Sequence, residues 1–394
     1  MTKVLFIRNG YYPGDPRLKK QVLSLIEKDY SVSVLCLRSK GEKLIDKVNK
    51  NLTVYRLPFT HKRSNLLWYF MEYSFSLISF FITTSVIYFL FRYNFIVVHT
   101  LPDFLSYSTI IPKIFGSKIV TDFHEPTPEL LLTKFHYKEN SLFIKLSKFF
   151  EQSVISYSDM SIAVTDSLRN RYIERGANPN KIVVISNAVD TDSLKKLSKE
   201  IIIKKNHKFL MITHGSIEER YGHEIVIKAI KKLIIEFPNI KYIITGSGTY
   251  ENYLKNLVDN LNLNDYVEFK GYLGLRDLVK TLKESDLGII PMYKTPYSEL
   301  IDTNKMYEYF ELGIPVALPK LTPLIKNFSP EEVIFFEPGN TDSFISEISK
   351  FIRNQDELKK VSLAAYKKYE KIKWSIEKLK FQKIFEKTLS TNHK

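Results

Sequence analysis

Lys305 and Glu308 stand three residues apart in the stretch NKMYEYFELGIPVALP, which begins like a helix and ends like a strand. That spacing puts both charges on one helix face. Asp302 or Thr303 can cap a helix starting near Asn304, and the amides of its first turn favour a phosphate. Lys305 can neutralise that phosphate. Glu308, one turn on, is a poor phosphate ligand but can accept hydrogen bonds from two vicinal hydroxyls, as a ribose presents. Phosphate beside ribose means nucleotide. The plainer reading is a surface ion pair worth about 0.3–0.5 kcal/mol.

Other stretches carry chemistry of the same kind. GSIEERYG, Gly215 to Gly222, follows the apolar run FLMITH and precedes a helix. A glycine directly after a strand lets backbone approach a phosphate, and Arg220 can add a bidentate, charge-assisted contact. An ordinary strand–turn–helix link with a surface arginine fits equally. Gly246-Ser247-Gly248 lacks the third glycine of the dinucleotide fingerprint, with Glu251 in its place, which argues against a nicotinamide or flavin cofactor. His124 and Glu125 end the strand-like KIVTDF, where a histidine beside a carboxylate can bind sugar hydroxyls or move a proton. Asp103 ends another strand and reads either as an N-cap of the next helix or as a site carboxylate. Asp190-Thr191-Asp192 looks like a metal-binding DxD. It has no neighbouring histidine or carboxylate cluster, so a turn or cap is expected and no metal is predicted.

The elements that position these residues alternate. KVLFIR, SVSVLCL, FIVVHT, KIVTDF, MSIAVT and KIVVISNAV are apolar strands separated by helices. A lysine-rich interval, DTDSLKKLSKEIIIKKNHK, reads as an interdomain connection, and the alternation then restarts with KFLMITHG, YIITGSG, YVEFKGYL, DLGIIPM and VIFFEPG. Such alternation predicts parallel sheets covered by helices. The expected organisation is an α/β domain over 1–190, a second over 206–370, and a charged C-terminal helix over 371–394 that packs back on the first. Open α/β sheets bind ligands at the carboxyl ends of their strands, so the expected site is a cleft between the two.

Bulk properties narrow the class. The chain has 394 residues and a formal charge of +15, which suits an anionic partner or a lysine-rich solvated surface. No zinc-finger spacing, RNA-binding aromatic signature or arginine-rich arm is present, so nucleic acid is the weakest candidate. The single cysteine, Cys36, reads as buried in a strand and fits a reducing compartment. The N-terminal apolar run is too short for a signal peptide. Tyr73 to Phe91 holds no charged residue and is long enough to approach a membrane span, yet it carries serines and threonines and runs into a strand. A core helix, a helix dipping into lipid and a span all remain open. The flanking His61, Lys62, Arg63 and Arg92 can meet lipid headgroups.

Taken together, HTLPDFLSYSTIIPKIFG, TDFHEPTPEL, HGSIEERYGHE, TGSG, VEFKGYL and NKMYEYFELGIPV resemble, in order and spacing, the retaining glycosyltransferases of family 4, with the GT-B fold of two Rossmann-like domains facing a central cleft. The resemblance covers nearly the whole chain. It implies that Glu308, five residues before Gly313-Ile314-Pro315-Val316, grips the donor ribose, and that Arg220 contacts the diphosphate, one position before the usual lysine place at Tyr221. It implies further that Gly10 approaches the donor phosphates, that His124 lies beside the transferred sugar, and that Gly271 belongs to the loop meeting the base. Many members carry a first glutamate eight residues before the second. Leu300 stands there in this chain, so either Glu299 is presented by a shifted loop or Asn304 and backbone amides do its work.

The implied activity is transfer of a sugar from a nucleotide-sugar to a lipid-linked or polysaccharide acceptor, retaining configuration and needing no metal or cofactor. His124, Arg220 and Lys305 are the expected catalytic groups, with Asp103 and Glu125 on the acceptor side. The expected location is cytoplasmic, peripheral on the inner face of the cell membrane. A nucleotide-sugar epimerase of the same fold and a membrane-anchored binding protein with a degenerate cleft are the alternatives.

Overall fold

The computed structural model describes residues 1–59, 66–189, 192–203 and 208–390. The chain forms two compact units, residues 1–187 with 375–394, and residues 188–374.

In the first unit, eight strands form one sheet: β1 (Lys3–Tyr11), β2 (Ser31–Leu37), β3 (Ile45–Asn49), β4 (Leu52–Leu57), β5 (Phe95–His99), β6 (Lys118–Asp122), β7 (Met160–Ala163) and β8 (Ile182–Val184). Their order is β3-β4-β2-β1-β5-β6-β7-β8. All pairings are parallel except β3 with β4. Every residue of β5 is buried, as expected where helices cover both sheet faces. Cys36 is buried in β2, where burial pushes its thiol up to about 11. The chain order reverses between β1 and β5, the place where such sheets open a crevice.

The second unit holds a six-stranded parallel sheet: β9 (Phe209–Ser216), β10 (Ile240–Ser247), β11 (Val267–Gly271), β12 (Leu287–Ile289), β13 (Val316–Pro319) and β14 (Ile334–Phe336), in the order β11-β10-β9-β12-β13-β14. Its reversal lies between β9 and β12. The two α/β units with parallel sheets give the architecture expected from the alternating strand pattern.

Three local expectations change. The lysine-rich interval is not a plain connection: Asp192–Glu200 is a helix that buries Leu194 with Ile201 and Val279. Lys283 ties its end down by donating to the carbonyls of Ser198 (2.5 Å) and Ile201 (2.7 Å). Among the described residues the last helix runs Trp374–Ser390, because Tyr369 closes the preceding helix Gln355–Tyr369. Phe385 of that last helix packs edge-on against Phe95 of β5, and Gln382 donates to the Ser24 carbonyl at 2.7 Å, which holds the helix on the first unit. Asp103 is not an N-cap; it is the first residue inside a 3-10 helix, Asp103–Thr109. Asp190 and Thr191 lie outside the described residues, as do His61, Lys62 and Arg63.

Candidate active site

In the second unit the carboxyl ends of β9, β10 and β11 lie side by side. Gly215 pairs with Gly246, and Thr245 pairs with Gly271. All three glycines have positive φ, at 102°, 125° and 62°. Gly246 packs so tightly that a Cβ there would lie 1.8 Å from the Gly215 carbonyl oxygen, whereas one at Gly271 would meet open space. The row therefore presents backbone without side chains at the sheet edge.

The helix Asn304–Glu311 begins beside this row. Thr303 is its N-cap residue, but its side chain makes no capping bond, and Asp302 accepts instead from the Tyr307 hydroxyl at 2.5 Å. The positive end of the helix is left without that cap, which suits an anion. Gly313, with φ of 66°, follows the C-cap Leu312 and ends the helix.

Lys305 does not pair along the helix face. Its Nζ lies 4.3 Å from the centre of the Tyr221 ring, and its stem crosses Gly215 so closely that a Cβ there would be 2.8 Å from Lys305 Cε. The Arg220 guanidinium lies over the same ring at 4.8 Å and 3.9 Å from the Glu218 carboxylate. Tyr221, which stands at the family's usual lysine place, thus serves as a platform for two cations. Burial pushes the Lys305 ammonium down to about 8; Arg220 adds to this and Glu308 opposes it. Two cations held on one ring at a helix start suit an anionic group. Because kcat/KM reports ionisations of the free enzyme, it should fall as pH rises through about 8, where Lys305 loses its proton. In a pH–rate series Lys305→Arg should abolish that limb; a limb that survives would belong to another group.

Glu308 is held by His214, the residue before Gly215. His214 Nε2 lies 2.6 Å from Glu308 Oε2, and its Nδ1 lies 3.0 Å from the Tyr309 hydroxyl. Glu299 is engaged elsewhere. Its carboxylate accepts from Thr322 Oγ1 at 2.5 Å and from the Thr322 amide at 3.3 Å. Leu300 is 4% exposed and packs inward. Asn304 is exposed at the first position of the helix.

In the first unit, β1, β5 and β6 end together. Arg17 grips Asp122 with two bonds of 2.9 Å, and Gln21 donates to the same carboxylate at 2.6 Å. Against the cost of burial, Arg17 and His99 hold Asp122 below the usual carboxylate range. His99, paired in register with Asp122, lies 2.7 Å from His124 Nε2 through its Nδ1. Burial lowers His99 to about 4 and His124 well below its ordinary value. Both rings are therefore neutral near pH 7, which makes His124 a hydrogen-bond partner for hydroxyls rather than a charged acid. His99, Asp122 and His124 have ligand atoms within 4.8 Å of one another, but the Arg17 guanidinium already occupies the Asp122 oxygens, so the set does not fit a cation.

Gly10 lies in β1 near its end, without positive φ, and a Cβ there would touch only the flexible Arg8 side chain, at 3.3 Å from its Nε. Arg8 itself pairs with Asp15 at 3.0 Å. Asp103 is 3% exposed, and burial raises its carboxyl to about 7 with Glu151 adding to the shift. Glu125 is partly exposed beside His124.

The structure thus gathers Gly215, Arg220, Gly246, Gly271, Thr303, Asn304, Lys305 and Glu308 at one end of the second sheet, and Gly10 and His124 at the strand ends of the first. It turns the Glu299 carboxylate onto Thr322. Sequence reasoning missed His214, Tyr221, His99 and Arg17; the signal for the two histidines was their place at the ends of apolar strands.

Two family models match, Glycosyltransferase Family 4 over residues 21–193 and Glycosyl transferases group 1 over residues 179–368. The chain belongs to the family 4 glycosyltransferases of GT-B fold. A chitobiosyldiphosphodolichol beta-mannosyltransferase of Candida albicans is 27% identical over 229 residues, 54% of this chain and 49% of that protein. The match therefore spans about half the length of that relative. Sucrose-phosphate synthase from Thermosynechococcus elongatus superposes with a TM-score of 0.80 at 13% identity, covering 99% of this chain and all of that one. Anabaena HepE, solved with UDP, superposes with a TM-score of 0.70 at 15% identity and covers 99% and 100%. These two likenesses bear on fold. The family 4 glycosyltransferase carries the strand-end row and the Asn304–Glu311 helix described above.

Proposed function

We propose that this glycosyltransferase moves a hexosyl group from a nucleoside diphosphate sugar to a hydroxyl of a lipid-linked or polysaccharide acceptor, with retention and without a metal. The observation that carries the donor assignment is the pair Lys305 and Arg220 on the Tyr221 ring, beside side-chain-free backbone at Gly215 and one helical turn from Glu308. The diphosphate binds the two cations and the helix start, and Glu308 accepts from the ribose hydroxyls. No carboxylate is placed as a nucleophile among these groups. The bond from the anomeric carbon to the diphosphate oxygen breaks, the acceptor oxygen bonds to that carbon on the same face, and the acceptor proton passes to the departing diphosphate. Lys305 and Arg220 stabilise the charge that develops on the leaving oxygen. His124 hydrogen-bonds the transferred sugar as a neutral imidazole. The Candida albicans relative acts, by its name, on a dolichyl diphosphate, which supports a lipid-linked acceptor. Mass spectrometry of products from a nucleotide-sugar panel and membrane lipid extract tests the reading. Transfer to lipid supports it, and interconversion of the donor sugar alone favours the epimerase.

A lipid surface also suits the first unit. The helix Leu66–Phe91 contains one stretch, Met71–Phe91, long and apolar enough to cross a membrane. One face of it is built into the fold: Ser76, Phe80, Thr84, Ile87 and Tyr88 are buried, and the Ser76 hydroxyl donates to Asn9 of β1 at 3.0 Å. The other face exposes Met71, Phe75, Ile78, Ile82, Val86 and Leu90 at helical spacing. Crossing a bilayer would strip the buried face from its sheet, whereas lying in the membrane plane leaves it in place. The Tyr73–Phe104 and Phe104–Phe150 ring contacts lead from this helix to the helix Leu142–Tyr157, which exposes Leu142, Leu146 and Phe149 beside Lys145. Arg92 sits 5.3 Å from the Tyr88 and Phe89 ring centres at the helix end. Apolar stripes with basic neighbours fit an anionic bilayer surface. The protein should float with phosphatidylglycerol-containing vesicles and be released by carbonate. Ile78→Asp with Ile82→Asp should abolish flotation while nucleotide binding persists. Resistance to carbonate would indicate a span, and no flotation at low salt would reject lipid docking.

A further inference from the structure

We infer that His214 is a positioning residue that fixes Glu308 for ribose recognition, with Tyr309 fixing His214 in turn. The inference rests on the ribose assignment of Glu308. His214 is 7% exposed, at the end of β9, and its ring is gripped by two consecutive residues of the helix Asn304–Glu311. The Tyr309 ring stands perpendicular to it, with centres 5.1 Å apart.

Proton counting decides the direction of the relay. The Tyr309 hydroxyl has one proton, and its neighbours include His214 Nδ1 at 3.0 Å, the Ile212 carbonyl at 3.2 Å and the Thr213 side chain. If it donates to Nδ1, the neutral ring carries its proton on Nε2. If it donates to Ile212 or Thr213 instead, Nδ1 must itself carry a proton, and a contact of 2.6 Å between Nε2 and an ionised Glu308 Oε2 then needs a second proton on the ring. With Glu308 ionised, Nε2–H donates to Oε2 in either case. The bond is then charge-assisted, and an ionised carboxylate is the acceptor-only group that hydroxyl recognition needs. It also selects one rotamer of a partly exposed glutamate and leaves Oε1 to accept from the ligand. Without His214 that side chain would be ordered only on binding, at an entropic cost.

The test compares UDP and GDP with their 2′,3′-dideoxy counterparts by calorimetric titration. His214→Ala should weaken binding of the hydroxyl-bearing nucleotide about 10-fold and that of its dideoxy counterpart less than about 2-fold, as expected for one charge-assisted bond acting through ribose. His214→Gln, whose amide can donate to Oε2, should recover most of the loss, and thermal melting checks that both variants fold. Equal weakening of both nucleotide forms, or of neither, overturns the inference. A Glu308→Ala variant that keeps the full preference for the hydroxyl-bearing nucleotide overturns instead the ribose assignment beneath it.

Discussion

Lys305→Ala is expected to lower kcat by about 100- to 1000-fold, the range seen when one preorganised stabiliser of developing charge is removed. The role proposed for the ammonium rests on its surroundings and not on an ion pair along its helix. It rests on the Tyr221 ring next to Arg220, at the uncapped start of the helix, with its stem crossing Gly215, where a Cβ would lie 2.8 Å from Lys305 Cε. Burial, with Arg220 nearby, lowers its pKa, the direction expected where holding the charge costs the folded chain. The same substitution should therefore leave the melting temperature unchanged or raise it, the pattern of a group kept for function and not for stability. Steady-state kinetics beside a thermal melt reads both. A large loss of melting temperature with little loss of kcat would make Lys305 a structural residue and remove it from the mechanism.

Gly246→Ala should destabilise the second unit by at least about 3 kcal/mol, since it adds a core overlap to a backbone conformation that L-residues avoid. The overlap is with backbone that cannot swing away: the new Cβ would lie 1.8 Å from the Gly215 carbonyl oxygen, at a φ of 125°. Gly271→Ala is the control. It shares the row and a positive φ of 62°, but its Cβ would enter open space, so only about 1 kcal/mol of left-handed strain is expected. Denaturant melts of the two variants separate them. Equal costs would mean that β9 and β10 relax apart at their ends, and the strand-end row would then be a softer feature than its geometry implies.

Much of the fold was legible because its strands are short, apolar and separated by helix-forming segments. Each of KVLFIR, FIVVHT and FLMITHG forms a strand, and the helix at Asn304 starts where its spacing places it. Lys305 and Glu308 were legible as two charges on one face, but not as charges that part company. Their partners come from the strand end more than eighty residues earlier in the chain, His214 for Glu308 and Tyr221 for Lys305. No local pattern reports such contacts. The Arg17–Asp122 pair spans 105 residues and was hidden for the same reason. Glu299 shows the converse. Its position beside the expected glutamate place suggested a sugar contact, yet Thr322, which opens the helix Thr322–Asn327, offers its carboxylate an amide and a hydroxyl at closer hand. The lysine-rich interval misled because its polar face dominates the composition. Leu194 and Ile201 suffice to seat it against Val279.

The central claim is that the end of the second sheet binds a nucleoside diphosphate through Lys305, Arg220 and Glu308. Thermal melting of the wild-type chain and of Glu308→Ala with UDP, GDP, ADP and CMP tests it most directly. A ligand at a hundred times its dissociation constant stabilises by about 2.7 kcal/mol, a shift of several degrees. At least one nucleoside diphosphate should produce that shift in the wild type and lose most of it in Glu308→Ala. No shift with any nucleotide, or the same shift in both proteins, would contradict the account.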